Sequence, residues 1–333
     1  MFDRTSPLSK SQESDWQTQS SAFTAGELSA TPITNPSAHD PRFGNAAAAA
    51  SIAKPLSPGE HHFKTVVEHQ RREYSVYVPH GYDGSSALPV VYMLPGVSET
   101  IDSMKLSTLM NKYADKRKLA VVYLQTLEKS FEGFTNLTSW NLEHGSLSRK
   151  VRSYDDVNYV GAIHDKVSTQ INANEQKEFL IGHSEGGDAA QYLMQKLPYF
   201  AGFASVHGTR SASDPVPPRR VHGAALLVLA RRDGMLPIVG GFGDIVTMIG
   251  APKVSESLPL TQKDIWAAAN KCGAPLVYYR NGDQITDYRC KRGPVREIIQ
   301  WNAQHPWNAP VDTNLVLDFL LPETRRKNKR SAK

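Results

Sequence analysis

The residues with most chemistry in them are Phe179-Leu180-Ile181-Gly182-His183-Ser184-Glu185-Gly186-Gly187, where a serine stands between two glycines as Gly-x-Ser-x-Gly. The segment before it is apolar and short, as in a buried strand, and the segment after it is rich in Ala and Leu, as in a helix. A strand that turns sharply into a helix thrusts the central side chain beyond the sheet. Small residues two before and two after let the strand and helix approach each other. Ser184 is therefore the candidate nucleophile. The N–H of Glu185, at the helix start, points where negative charge would develop during attack on a carbonyl.

A serine hydroxyl is a weak nucleophile at neutral pH and needs a histidine base held by a carboxylate. On a strand-turn-helix scaffold the carboxylate follows the serine and the histidine comes last. Ala225–Ala230 reads as a later buried strand, and Asp233 follows three residues on, in Arg231-Arg232-Asp233-Gly234-Met235-Leu236-Pro237. Asp214, after His207-Gly208-Thr209, is the rival acid, one strand earlier. His305 lies in a loop before the closing helix. His207 and His222 precede Asp233, and His183 sits beside the serine with its ring expected to point into the surrounding structure. A second oxyanion donor is expected from Leu94-Pro95-Gly96-Val97-Ser98. Pro95 has no N–H, Gly96 gives room for close approach, and Val97 is the donor. Trp140 and Trp307 are candidates for lining an apolar acyl pocket, burial in the core being the other reading.

The elements that must carry these residues can be read from the hydrophobic pattern. Phe63–Glu68 and Glu73–Val78 read as paired strands with Arg-Arg at the turn. Leu88–Leu94, Leu119–Leu124, Glu178–Ile181, Phe200–Val206 and Ala225–Ala230 read as strands buried on both faces. Helical spacing covers 103–118, 155–169, 186–196, 261–271 and 313–320, with further strands near 276–280 and 295–300. Strands alternating with helices imply an α/β domain with a mostly parallel sheet covered on both faces.

The chain has 333 residues and a formal charge of +5, with 38 Lys and Arg against 33 Asp and Glu. Six of the basic residues fall in the nine-residue tail 325–333, and residues 56–324 balance at 28 of each sign. The catalytic body is thus neutral, which argues against nucleic acid as its partner; the tail reads as a solvated end or a nuclear-targeting signal. Residues 1–55 include 31 Ser, Thr, Ala, Pro or Gly and show no hydrophobic periodicity, as expected of a disordered leader. They lack the basic start and apolar stretch of a cleavable signal peptide. The readings for this leader are a type III-like export signal, making the protein secreted, or a dispensable end on a cytoplasmic protein. No apolar run approaches the roughly 20 residues that span a bilayer. Two cysteines are too few for a metal site, and Gly240-Gly241-Phe242-Gly243 lacks dinucleotide-binding spacing, so no metal or cofactor is expected.

Seven ordered landmarks give residues 60–322 a resemblance to the α/β-hydrolase esterases that comprise polyhydroxybutyrate depolymerases, feruloyl esterases and acetyl xylan esterases. These are Arg72–Pro79; Leu94-Pro95-Gly96; Ser139-Trp140-Asn141; Asp155-Asp156-Val157; Phe200–Val206; Asp233 to Gly241; and Trp266 through Asn270-Lys271-Cys272, Tyr288-Arg289-Cys290 and His305-Pro306-Trp307. The chain departs from the family in having Pro95 where a histidine commonly precedes the oxyanion-loop glycine. It also has Ala230-Arg231-Arg232 where His-Gly-Thr often precedes the acid. The resemblance implies an α/β-hydrolase fold, a serine esterase working through an acyl-enzyme, and substrates such as polyhydroxyalkanoate esters or acylated plant polysaccharides. It also implies a disulfide between Cys272 and Cys290, two buried thiols being the alternative. A non-catalytic effector or binding protein and a serine peptidase on the same fold are the competing functions.

Overall fold

The computed structural model of the chain describes residues 55–131, 134–143, 153–210, 217, 221–239, 259–309 and 311–322, which belong to one unit, Ala50–Lys333. The expected leader (1–54 of it), the basic tail and Asp214 lie outside the described residues.

Ten strands form one sheet in the order β1-β2-β4-β3-β7-β8-β9-β12-β11-β10. They are β1 (Gly59–Val67), β2 (Gln70–Val78), β3 (Leu88–Leu94), β4 (Ala120–Leu124), β7 (Ala173–His183), β8 (Gly202–Val206), β9 (Ala224–Ala230), β10 (Cys272–Arg280), β11 (Asp283–Cys290) and β12 (Val295–Gln300). The six central strands, β4 to β12 in sheet order, run parallel, and antiparallel pairs finish both edges. A separate hairpin joins β5 (Leu127–Phe131) to β6 (Phe134–Ser139). The helices are α1 (Ile101–Thr108), α2 (Met110–Arg117), α3 (Asp156–Gln170), α4 (Glu185–Lys196), α5 (Gln262–Ala269) and α6 (Val311–Leu320).

The continuous apolar runs of β3 and β9 follow from burial on both faces. Val90, Tyr92, Leu94, Ala225 and Leu227 pack with Val160, Leu193 and Trp266 of α3, α4 and α5. Val91, Met93, Leu226 and Val228 pack with Met104, Met110 and Leu317 of α1, α2 and α6. Alternation along each strand thus feeds two cores, one on each side of the sheet. Among the described residues no helix is long and apolar enough to cross a membrane.

Three expectations change. The β1–β2 turn is Glu68-His69, both with positive φ (48° and 62°), while the arginines lie in β2. Arg72 is buried there and pairs with the buried carboxylate of Asp156, its guanidinium 4.1 Å from the Tyr159 ring centre. The helix expected over 103–118 is two helices, because Leu109 takes a left-handed conformation (φ 53°) that closes α1 by donating to the Lys105 carbonyl. Strands β5, β6 and β11 escape a search for apolar runs because polar residues dominate them and leave no continuous apolar stretch. In β11 only Ile285 and Thr286 are buried.

Candidate active site

Ser184 lies between the end of β7 and the start of α4, with φ 52° and ψ −124°, a strained backbone that aims its side chain past the sheet. The glycines beside it are compelled by close approach. A Cβ on Gly182 would stand 1.8 Å from the Gly186 carbonyl oxygen, and one on Gly186 would stand 2.1 Å from that of Leu94. Backbone touches backbone on either side of the serine, so no larger residue fits without displacing β3 or α4.

Three side chains from separate segments converge here. His305 Nε2 lies 2.8 Å from Ser184 Oγ, and His305 Nδ1 lies 2.8 Å from Asp233 Oδ2. The other Asp233 oxygen accepts the N–H groups of Met235 and Leu236, each at 2.8 Å, which fixes the carboxylate's orientation. His305 and Asp233 are buried, 8% and 7% exposed, so little water competes for these bonds. Parallel pairing of β9 with β12 delivers both loops to the same end of the sheet as Ser184, and the N–H of Arg232 ties them by donating to the Ala303 carbonyl.

Two backbone N–H groups near the serine have no acceptor among the described residues. Glu185 opens α4, so its N–H has no acceptor within the helix. In the loop after β3, the Gly96 N–H donates to Glu99 Oε2 at 2.6 Å, and the Ser98 N–H donates to the Thr138 carbonyl at 2.8 Å. Between them, the N–H of Val97 has no acceptor among the described residues. Gly96 brings this loop against the serine: a Cβ there would lie 3.0 Å from Ser184 Cβ.

Both tryptophans lie inside. Trp140 is 1% exposed and donates its indole N–H to the Pro95 carbonyl at 2.8 Å; Trp307 is 7% exposed and donates to Thr313 Oγ1 at 3.0 Å. Each therefore steadies a loop of the site from beneath, Trp140 the Pro95–Val97 loop and Trp307 the segment that begins at His305.

The residues flanking Ser184 turn away from it into buried polar networks that the sequence did not disclose. Glu185 accepts the hydroxyl of Ser139 at 2.6 Å and the Trp140 N–H at 3.3 Å. Burial raises its carboxyl to about 7, opposed by the Ser139 bond and the charge of Lys129. Lys129, on β5, donates to the Trp140 carbonyl, and burial lowers its ammonium to about 8 against the attraction of Glu185 and Asp156. Asp156 accepts the Asn141 N–H at 2.5 Å as well as pairing with Arg72. The string Ser139-Trp140-Asn141 thus links Arg72, Asp156 and Glu185 to the Pro95 loop. For Glu185 and Lys129 the sequence signal is an acid after the serine and a lysine in a polar hairpin, too weak to find unaided. On the other side, His183 reaches Glu99 and the backbone of His305.

Comparisons with known proteins speak for the family and the fold. A family model described as "Putative esterase" matches residues 67–293. "Putative esterase NocK" of Nocardia uniformis subsp. tsuyamanensis is 26% identical over 186 residues, 54% of this chain and 47% of the relative. The bifunctional acetylxylan esterase/xylanase XynS20E of Neocallimastix patriciarum is 25% identical over 171 residues, 48% of this chain and 23% of the relative. The chain thus spans less than half the length of these curated relatives. Among solved structures, an acetyl xylan esterase from Aspergillus awamori superposes with a TM-score of 0.52 at 11% identity, covering 78% of this chain and 98% of that one; at such low identity it speaks for the fold alone. The sheet is that of an α/β hydrolase, and with the family model matching most of its length, the chain belongs to the esterase family.

Proposed function

We propose that this protein is a carboxylic ester hydrolase with Ser184 as nucleophile, His305 as general base and Asp233 as the group that holds the base. The observation that carries the reading is the pair of 2.8 Å contacts through the His305 ring, ending on a serine held at positive φ. Asp233 fixes the proton on Nδ1, leaving Nε2 to take the Ser184 proton as Oγ attacks the ester carbonyl. The resulting oxyanion lies against the N–H groups of Glu185 and Val97. His305 then gives its proton to the leaving alcohol, and an acyl group remains on Ser184. Water, activated by the same nitrogen, attacks the acyl-enzyme and releases the acid.

The substrates that best suit this site are uncharged esters. Residues 56–324 carry equal numbers of acidic and basic residues, so the body offers no net field to select a charged polymer. Short hydroxyalkanoate esters and acyl esters of plant polysaccharides are the classes we expect. Trp140 and Trp307, being buried with their N–H groups engaged, act here as supports of the site's loops and not as walls of an acyl pocket.

The test is labelling with a fluorophosphonate probe, followed by turnover of p-nitrophenyl esters of graded chain length. Wild type should label and Ser184→Ala should not, with turnover falling by at least about 10⁴-fold. Absence of labelling in folded wild type overturns the esterase reading in favour of a binding role. Peptide cleavage faster than ester cleavage would make the protein a peptidase.

A further inference from the structure

Among the ionisable groups that the mechanism leaves unused are the buried His183 and His207 and the partly buried Glu99. The two histidines meet at a single atom, the backbone carbonyl oxygen of His305. His183 Nε2 lies 3.0 Å from that oxygen and His207 Nδ1 lies 2.8 Å from it. A carbonyl only accepts, so both ring nitrogens carry hydrogens and donate. The far side of His207 also meets an acceptor, the Oε1 of Gln300 at 2.9 Å, but an uncharged one, and Gln300 in turn donates to Asp312 at 2.7 Å. The far side of His183 meets a charge: its Nδ1 lies 2.8 Å from Glu99 Oε1.

His183 therefore faces an acceptor at each nitrogen, a carbonyl at one and a carboxylate at the other. A neutral imidazole has one N–H and can satisfy only one of them. The arrangement is complete when the ring is an imidazolium beside an ionised Glu99. Burial alone would lower His183, but the Glu99 bond and charge, with the His305 carbonyl, raise it overall. Glu99 shows the reverse: burial pushes it up, and the His183 bond and charge together with the Gly96 N–H bring it below the usual range. The other titratable neighbours are His305, with ring centres 5.4 Å from His183, His207 at 6.2 Å, and the charge of Asp312.

Glu99 spends its other oxygen on the oxyanion loop, accepting the Gly96 N–H at 2.6 Å. One ion pair thus reaches both halves of the site, the loop that presents the Val97 N–H and the loop that presents the His305 ring. We propose that Glu99 and His183 form an ion pair that sets the spacing between the oxyanion donor and the general base, making both of them positioning residues for the reaction. The proposal rests on the esterase reading of Ser184 and His305 given above. His183 occupies the first variable position of Gly-x-Ser-x-Gly, so the nucleophile's own neighbour ties its turn to the base.

The test combines turnover of a p-nitrophenyl ester with nitrogen NMR of the imidazole rings in the full chain. Glu99→Gln and His183→Gln should each lower kcat by about a hundredfold with KM little changed, the loss expected from misplacing catalytic groups by about 1 Å. The double variant should lose no more than either single one, because a pair acting as a unit is removed by the first substitution. Losses that multiply, or a Glu99→Gln enzyme with wild-type kcat, overturn the proposal. Thermal melting shows whether each variant is folded. Should either fail to fold, wild type decides: through-bond assignment along a pH titration should find His183 losing its second ring proton only at a pH above that of a free imidazole. A His183 ring that loses it at or below that pH overturns the pair. Failure of wild type to turn over any ester would sink the esterase reading, while the ring protonation would still judge the ion pair.

Discussion

At the elbow, position is fixed by backbone against backbone; at the far edge of the sheet it is fixed by a covalent bond. Around Ser184 the strand β7, the helix α4 and the loop after β3 approach so closely that Gly182, Gly186 and Gly96 have no room for a Cβ at normal distance. Ten-stranded pairing ends instead at β10, where Leu276, Val277 and Tyr279 are 59%, 52% and 65% exposed. That strand is held to β11 in register and by the Cys272–Cys290 disulfide, which joins residues directly opposite each other. The contrast follows from what each region must do. A nucleophile must be placed to a fraction of an ångström, and only contact on every side achieves that. An edge hairpin has little core to bury, and a cross-link compensates for that lack by restricting the unfolded chain.

The largest expected break comes at the elbow. In Gly186→Ala the new methyl would meet the Leu94 carbonyl oxygen and carbon at 2.1 and 2.7 Å and the Pro95 carbonyl oxygen at 2.7 Å. All are backbone atoms, so relief requires β3 or α4 to shift, and the Val97 donor shifts with them. We expect kcat to fall by at least about a hundredfold in whatever folded protein is recovered. Overpacking should also destabilise the fold by about 1–3 kcal/mol. Turnover and urea unfolding of the purified variant measure the two effects. Wild-type turnover would show that the elbow tolerates movement after all.

The hairpin should behave oppositely, losing stability and keeping chemistry. Replacing both cysteines by serine opens a link across a sequence separation of 18. It should cost about 3 kcal/mol of stability on the chain-entropy account. Because β10 and β11 lie beyond β12 from the serine, kcat should stay within about twofold of wild type, as sites this far apart act independently. Denaturant midpoints of oxidised, reduced and double-serine protein, with turnover of each below its transition, make the comparison. A matching loss of kcat would show that the edge is coupled to the site.

The same contrast explains what can be read from the sequence. Ser184, Asp233 and His305 are legible as candidates because an elbow has a local spacing, and the order of acid and base follows from strand order. Glu99 and Lys129 are not. Glu99 meets His183 across 84 residues, and Lys129 reaches Trp140 from a hairpin whose mostly polar residues hide its strands. Arg72 belongs to the β2 landmark yet reads as a turn residue, since arginine is rarely buried without a partner and Asp156 lies 84 residues away. The left-handed Leu109 is equally invisible, there being no glycine to announce it. Local spacing shows in a single sequence; long-range polar pairing does not.

A smaller effect separates the two regions by pH. Glu297, on β12 between β9 and the edge hairpin, is 1% exposed, and its Oε1 stands 3.4 Å from the Lys263 ammonium. Its Oε2 has no hydrogen-bond partner among the described residues. Burial raises its carboxyl from 4.5 to about 7, with Lys263 pulling it down. Between those values the folded chain holds a proton that the unfolded chain has released, so stability must fall as pH rises through this window. Glutamine has the shape of the protonated carboxyl and cannot ionise. Glu297→Gln should therefore gain stability relative to wild type as pH rises, by on the order of 2 kcal/mol between about pH 5 and about pH 8, less than the full shift because Lys263 loses its counter-charge. Denaturant unfolding of both proteins across that range reads the difference directly. A constant difference would mean that Glu297 is already ionised at the lower pH. Turnover should keep its wild-type pH profile, because this carboxylate touches neither His305 nor Asp233.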